Sequence, residues 1–184
     1  MTTDSIRRFA SADWPQVWGI LRPVFRAGET YAVDPQISEQ DAFAMWIEKP
    51  LETWVAADGD RILATYYIKA NQPGPGSHVC NCGYVVAEEA RGQGLAGRLC
   101  DHSLEQAVRL GFRAMQYNLV VAANEAAVRA WQSKGFSVAG RLPGAFCHPT
   151  LGDTDALVMF RSLASPALSG FPSPHAGQHQ GPEL

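Results

Sequence analysis

The chain has 184 residues, 46% of them hydrophobic, which is enough for one domain with a full core and too few to expect two. Its formal net charge is -3, with acidic and basic residues scattered along the chain rather than gathered in a basic stripe, so nucleic acid is excluded as a partner. Residues 1–20 carry Asp4, Arg7, Arg8 and Asp13 instead of an apolar leader, no run reaches membrane-spanning length, and four cysteines do not make a disulfide scaffold in a chain this size; the expectation is a cytoplasmic protein with no membrane partner.

Ser5 to Ala10 reads as a short first strand. Ser11 or Asp13 can cap a helix bearing Trp14, Val17, Trp18, Leu21 and Phe25 on one side, with Gly28 as its stop and Pro23 expected to kink or split it. The polar and aromatic corner Glu29-Thr30-Tyr31 is the kind of loop that lines sites. A second helix starts at Ser38, with Asp41 making an approximate capping box, buries Ala42, Met45 and Trp46, and ends before Pro50. Thr53 to Ala57, an Asp58-Gly59 turn and Arg61 to Lys69 read as a hairpin, and Asn71 to Ser77 as an irregular surface loop.

Val79 to Ala87 is a further strand, leading through Glu88 to Ala90 into a Gly-rich turn. The next helix runs from about Gly92 to Leu110, with Leu95, Leu99, Leu104 and Val108 inward and Gly111 closing it. Met115 to Val121 is a strand, Asn124 caps a helix to Lys134, and Ser137 to Leu142 and Asp155 to Arg161 complete the strands. From 163 the composition shifts to Ser, Pro, Gly, His and Gln, so 1–162 reads as one domain and 163–184 as a disordered tail. The order of elements predicts a mixed α/β (α+β) fold: one central mixed β-sheet of about six to seven strands flanked by helices, with a parallel pair at its middle.

The turn Gly92-Gln93-Gly94-Leu95-Ala96-Gly97 fits G-x-G-x-x-G, yet its context is not that of a dinucleotide fold. Ala87 to Arg91 separate the strand from the first glycine, and no acidic residue ends the next strand to hold a ribose. The segment resembles instead the acyl-CoA motif Q/R-x-x-G-x-G/A of the GCN5-related N-acetyltransferase (GNAT) superfamily, with Arg91, Gly94 and Ala96 at its fixed positions. Val86 before it, the strand after its helix, and Asn124, Ala127, Trp131 and Gly135-Phe136 agree with that resemblance. It implies the GNAT fold, N-acetyltransferase activity and acetyl-CoA as co-substrate. The amides of Gly92, Gln93, Gly94, Leu95, Ala96 and Gly97, with Arg91 beside them, would hold the CoA pyrophosphate at the helix N-terminus. The strand at Tyr84, Val85 and Val86 would splay from Gln116 to Val121 and pair with the pantetheine arm, one N–H facing the thioester oxygen, and Asn124 would reach the arm or the phosphate. Many members carry a Tyr where this chain has Trp131, whose indole N–H is too weak an acid to protonate a thiolate; a water, another tyrosine such as Tyr84 or Tyr31, or no acid at all are the alternatives.

Asn81 and Asn118 lie inside apolar strand patterns, where an amide is costly unless its groups are met. They are either satisfied by neighbouring backbone or form a substrate-orienting pair suited to a carboxylate or amide. Within the superfamily, the runs His78 to Tyr84 and Asn118 to Val120 together with Asn124 are similar to the branch acetylating azetidine-2-carboxylate, a proline analogue, which implies substrate and CoA roles for these asparagines. Glu29 reads as a base or a charge that draws a cationic amine, against the plainer reading of a solvated acid past a helix end. His78, Cys80, Cys82, Cys147 and His148 lack metal-ligand spacing; no metal is expected and the thiols read as buried. The expected reaction moves the acetyl group of acetyl-CoA to the amine of a small amino- or imino-acid-like molecule by direct attack. A non-catalytic acyl-CoA-binding module and a protein lysine or N-terminal acetyltransferase are the alternatives, and exposed aromatics would suit a homodimer.

Overall fold

A computed structural model describes residues 5–163, and within it seven strands form a single mixed sheet. In chain order the strands are β1 (Ser5–Arg8), β2 (Glu52–Asp58), β3 (Arg61–Ala70), β4 (Val79–Val86), β5 (Ala114–Val121), β6 (Ser137–His148) and β7 (Gly152–Ser162). They lie side by side as β1-β2-β3-β4-β5-β7-β6, antiparallel throughout except for the parallel pair β4 and β5 at the centre. The helices are α1 (Trp14–Ala27), α2 (Glu39–Phe43), α3 (Leu95–Arg109) and α4 (Glu125–Ser133). Side chains alternate across a strand, and β3 shows which helix owns which face. Thr65 and Tyr67 meet Trp46, on the turn that continues α2, whereas Tyr66 bonds His102 on α3. The core fills both faces; Leu21, Phe25, Trp46, Tyr66, Ile68 and Leu99 are wholly or almost wholly buried, each apolar side chain contributing about 1.5–3 kcal/mol.

Several elements differ from the sequence expectation for local reasons. α1 runs unbroken through Pro23, because that residue is exposed and the Gly19 carbonyl whose bond it forfeits also lies on the exposed side. Asp13 does not cap α1 with its side chain. Its carboxylate accepts both terminal nitrogens of Arg7, at 2.7 and 2.8 Å, and the Ala10 N–H at 2.8 Å. Ser38 caps α2 as expected, accepting the Asp41 N–H, but the helix then widens into a π turn over Ala44–Glu48, where the Lys49 N–H reaches back to the Ala44 carbonyl. The wider turn leaves the Trp46 carbonyl to Thr53 Oγ1 at 2.7 Å, and the Trp46 indole N–H donates to Thr65 Oγ1. Met45 is only half-buried, and Val108, expected inward, is exposed while Cys100, Ser103 and Ala107 take the inner face of α3. The 71–77 loop contains one 3-10 turn, Gly74–Gly76. β6 and β7 extend well past the expected strands, reaching His148 and starting at Gly152. Leu163, placed in the tail by composition, is buried and donates its N–H to Arg113 O; the rest of the expected tail lies outside the described residues. No helix among the described residues is long and apolar enough to cross a membrane.

Candidate active site

The parallel ladder between β4 and β5 lasts for two residue pairs, Val79↔Ala114 and Cys80↔Met115, after which the strands diverge. The Asn71 N–H bonds Val79 O and the Ala87 N–H bonds Leu63 O, so odd-numbered residues of β4 address β3 with their peptide groups. Cys82, Tyr84 and Val86 turn theirs into the gap. Asn81 spans the fork, its Nδ2 donating to the Gln116 carbonyl at 2.9 Å while Tyr67 Oη donates to its Oδ1 at 3.2 Å. A continuous cleft of about 1340 Å³ follows the gap, from Glu29, Lys69 and Asn118 at one end to Arg91, Gly94 and Ala96 at the other.

The second end is made of main chain. Gly92 and Gly94 have φ of +76° and +75°, and a Cβ on either would meet nothing within 4 Å, so the space above both peptides is open. A left-handed Gly94 starts α3, whose first intrahelical bond runs from the Arg98 N–H to Gly94 O; the amides from Gly94 to Gly97 therefore have no intrahelical acceptor. Arg91 is exposed at this rim. Glu89 in the lead-in pairs with Arg61 at 2.6 Å, and its own backbone N–H together with Arg61 holds its carboxyl below the usual range.

Side chains make the first end. Tyr31 rests edge-on against Phe25 and Trp46, Trp46 against Tyr67, and Lys69 Nζ sits 5.3 Å from the Tyr67 ring centroid. Gly83 makes room for this cluster, since a Cβ there would come within 2.6 Å of Tyr67 Cε1 and 3.2 Å of Tyr31 Oη. The Tyr31 hydroxyl accepts the Tyr84 N–H at 2.8 Å and donates to the Tyr84 carbonyl at 2.9 Å. On the opposite face, the Tyr84 side chain runs under Trp131 to a hydroxyl cluster, 2.6 Å from Ser103 Oγ and 3.1 Å from Tyr117 Oη.

This fork, ending on a glycine turn at a helix N-terminus, coincides with a sequence match: the profile of the acetyltransferase (GNAT) family fits residues 14–136. The chain belongs to that family. A GCN5-related N-acetyltransferase from Kribbella flavida is 42% identical, covers 87% of this chain and 98% of its own, and superimposes with a TM-score of 0.83. The N-acetyltransferase aca1 of Schizosaccharomyces pombe is 32% identical over 129 residues, 61% of this chain and 62% of the relative, so the match spans less than two thirds of that protein's length. A phosphinothricin acetyltransferase from Sinorhizobium meliloti, solved in complex with AcCoA, shares the fold at 20% identity and a TM-score of 0.78, over 94% of this chain and 97% of its own.

In this GNAT acetyltransferase most of the residues singled out from sequence lie along one cleft. Glu29, Asn81, Asn118, Tyr84, Val85, Val86, Arg91, Gly92, Gly94, Leu95, Ala96 and Asn124 all line it, whereas Gln93 and Gly97 do not. Gln93 folds back onto Glu89 O, and Gly97 faces Lys134. The Oδ1 of Asn124 is engaged as the cap of α4, taking the Ala127 N–H, which leaves its amide group for a ligand. Asn81 and Asn118 differ: Asn81 is buried, whereas Asn118 is exposed and exchanges hydrogen bonds with Gln116 and Asn71. Tyr84 is poorly suited to donate a proton, because burial pushes its phenol well up and Ser103 already holds the hydroxyl; burial pushes Tyr117 up in the same way. Cys80, Cys82 and Cys100 are buried, but Cys147 is exposed, against expectation. Sequence reasoning missed Tyr67 and Lys69. They read as ordinary hairpin residues, and only the strand alternation at Lys69↔Asn81 could have flagged them.

Proposed function

We propose that the protein is an acetyl-CoA-dependent N-acetyltransferase acting on the amine of a small amino- or imino-acid-like acceptor. The observation that carries the reading is the fork between β4 and β5, whose free edge ends at Val86 and leads, through the single 3-10 turn Glu88–Ala90, to the glycine turn and the open amides of α3. An extended pantetheine arm fits such an edge as an added strand, and a pyrophosphate fits the turn. Arg91 adds charge to the pyrophosphate end, and the amide of Asn124 meets the arm midway. The thioester then lies at Tyr84, where Asn81, Tyr67 and Lys69 converge from the acceptor side.

Catalysis on this reading is chiefly placement. The amine gives its ammonium proton to cleft water and attacks the thioester carbon in neutral form, charge on the oxygen is met by a main-chain N–H, and the C–S bond breaks as the nitrogen's second proton passes through water to the departing CoA thiolate. Lys69 supports a carboxylated acceptor: among the described residues no ion pair engages it, its ammonium lies over the Tyr67 ring, and it lines the same cleft as Asn81 and Asn118. Glu29, exposed at the mouth, draws the cationic amine inward. The test is release of free CoA from acetyl-CoA across amines, proline analogues, amino acids and lysine peptides. Turnover is expected with small carboxylated amines. Turnover on peptides alone would replace the acceptor class, and silence with every acceptor despite tight acetyl-CoA binding would make the protein a non-catalytic acyl-CoA module.

A further inference from the structure

The peptide of Tyr84 faces the fork and is already occupied. Its N–H and its C=O both point away from β3, as the register requires, and a single atom, the Tyr31 hydroxyl oxygen, satisfies both at 2.8 and 2.9 Å. A partner strand would normally supply two groups there, an acceptor and a donor; one phenol, which can accept and donate together, replaces them. Tyr31 comes from the loop after α1, on the acceptor side, and its ring is gripped by Phe25 and Trp46. Its reach depends on Gly83, since a Cβ on that residue would stand 3.2 Å from the hydroxyl. Burial pushes this phenol up, so it remains protonated and serves both bonds at neutral pH.

We infer that Tyr31 is a positioning residue that keeps the thioester-oxygen seat on the Tyr84 N–H filled until acetyl-CoA arrives. This rests on the reading that the cleft takes acetyl-CoA. The thioester oxygen competes with the phenol oxygen for one N–H, and its arrival displaces the hydroxyl. Because the ring is packed into the acceptor side, displacement moves the Glu29 to Tyr31 corner with it. Product CoA has no thioester oxygen and does not contest the seat, so the phenol returns to Tyr84 after acetyl transfer.

The distinguishing quantity is the ratio of affinities for acetyl-CoA and CoA, measured by calorimetry on the full chain and on Tyr31→Phe, which keeps the ring. Without the hydroxyl, acetyl-CoA no longer displaces a tethered group, and its Kd is expected to fall about two- to tenfold, the range of one hydrogen bond, while that of CoA stays put. An unchanged ratio would overturn the role of Tyr31 alone. Failure of the unsubstituted protein to bind either ligand would overturn the cofactor reading with it. If Tyr31→Phe does not fold, 3-fluorotyrosine placed at position 31 gives a second readout. Its fluorine resonance should shift with acetyl-CoA and not with CoA, and the same response to both ligands would refute the displacement.

Discussion

The two ends of the cleft are built from different material. At the α3 end the groups proposed to bind are peptide amides released by two left-handed glycines and by the start of a helix, within a few consecutive residues. At the end proposed for the acceptor they are side chains from the loop after α1, from β3, from β4 and from β5, held by a π turn and a buried aromatic cluster. A main-chain site tolerates most side-chain changes but not a change of backbone conformation. A side-chain site is the reverse, since each member can be exchanged and the backbone beneath stays as it is. One end can thus stay fixed to a cofactor while the other varies with the acceptor.

The largest expected break is at the main-chain end. Gly94→Val forces a β-branched residue to φ near +75° and puts a side chain into open ligand space, so the Kd of acetyl-CoA should rise about 100-fold. Calorimetry checks it, and an unaltered Kd would refute the placement of the pyrophosphate. Next, Asn81→Ala strands the Gln116 carbonyl and the Tyr67 hydroxyl, a cost of about 2 kcal/mol that lowers Tm by roughly 4–8 °C. It should also raise the acceptor KM more than the acetyl-CoA KM; equal effects on both would show Asn81 to be a strut for the whole fork.

Lys69→Met sharpens the contrast further. It should raise the KM for a carboxylated acceptor about tenfold and leave that of an uncharged amine unchanged, in steady-state assays with both acceptors. The smallest effect belongs to the scaffold, distant from either end. The Arg7 guanidinium, by its hydrogen bonds, holds the Asp13 carboxyl below the usual carboxylate range, so this pair stabilises the fold above the ordinary carboxylate pKa and ceases to do so as pH falls through the lowered one. Asp13→Asn should cost about 1 kcal/mol at pH 7, with its Tm gap to the parent protein closing in acid and both KM values intact.

The same division explains what could be read from the sequence. Arg91, Gly94 and Ala96 are a local pattern with a local cause, and the strands and helices around them follow from periodicity and caps such as Ser38 and Asn124. The fork itself was legible only through the resemblance, because no residue of β4 or β5 announces that their ladder stops at Cys80 and Met115. Tyr67 and Lys69 were illegible for another reason: their meaning depends on which residues of β4 lie opposite. The π turn after α2 was hidden because its wide turn is stabilised from outside the helix, by Thr53 from β2.

Strand β4 also acts as a partition wall. Its odd-numbered residues, Asn81 and Gly83, furnish the side proposed for the acceptor, where they meet Tyr67 and Tyr31, and its even-numbered Tyr84 leans on Ser103 of α3. Selectivity can therefore be retuned by substitution at alternate positions of one strand without disturbing the opposite face. A one-residue insertion in β4 would exchange the furnishings of the two rooms and disable both at once.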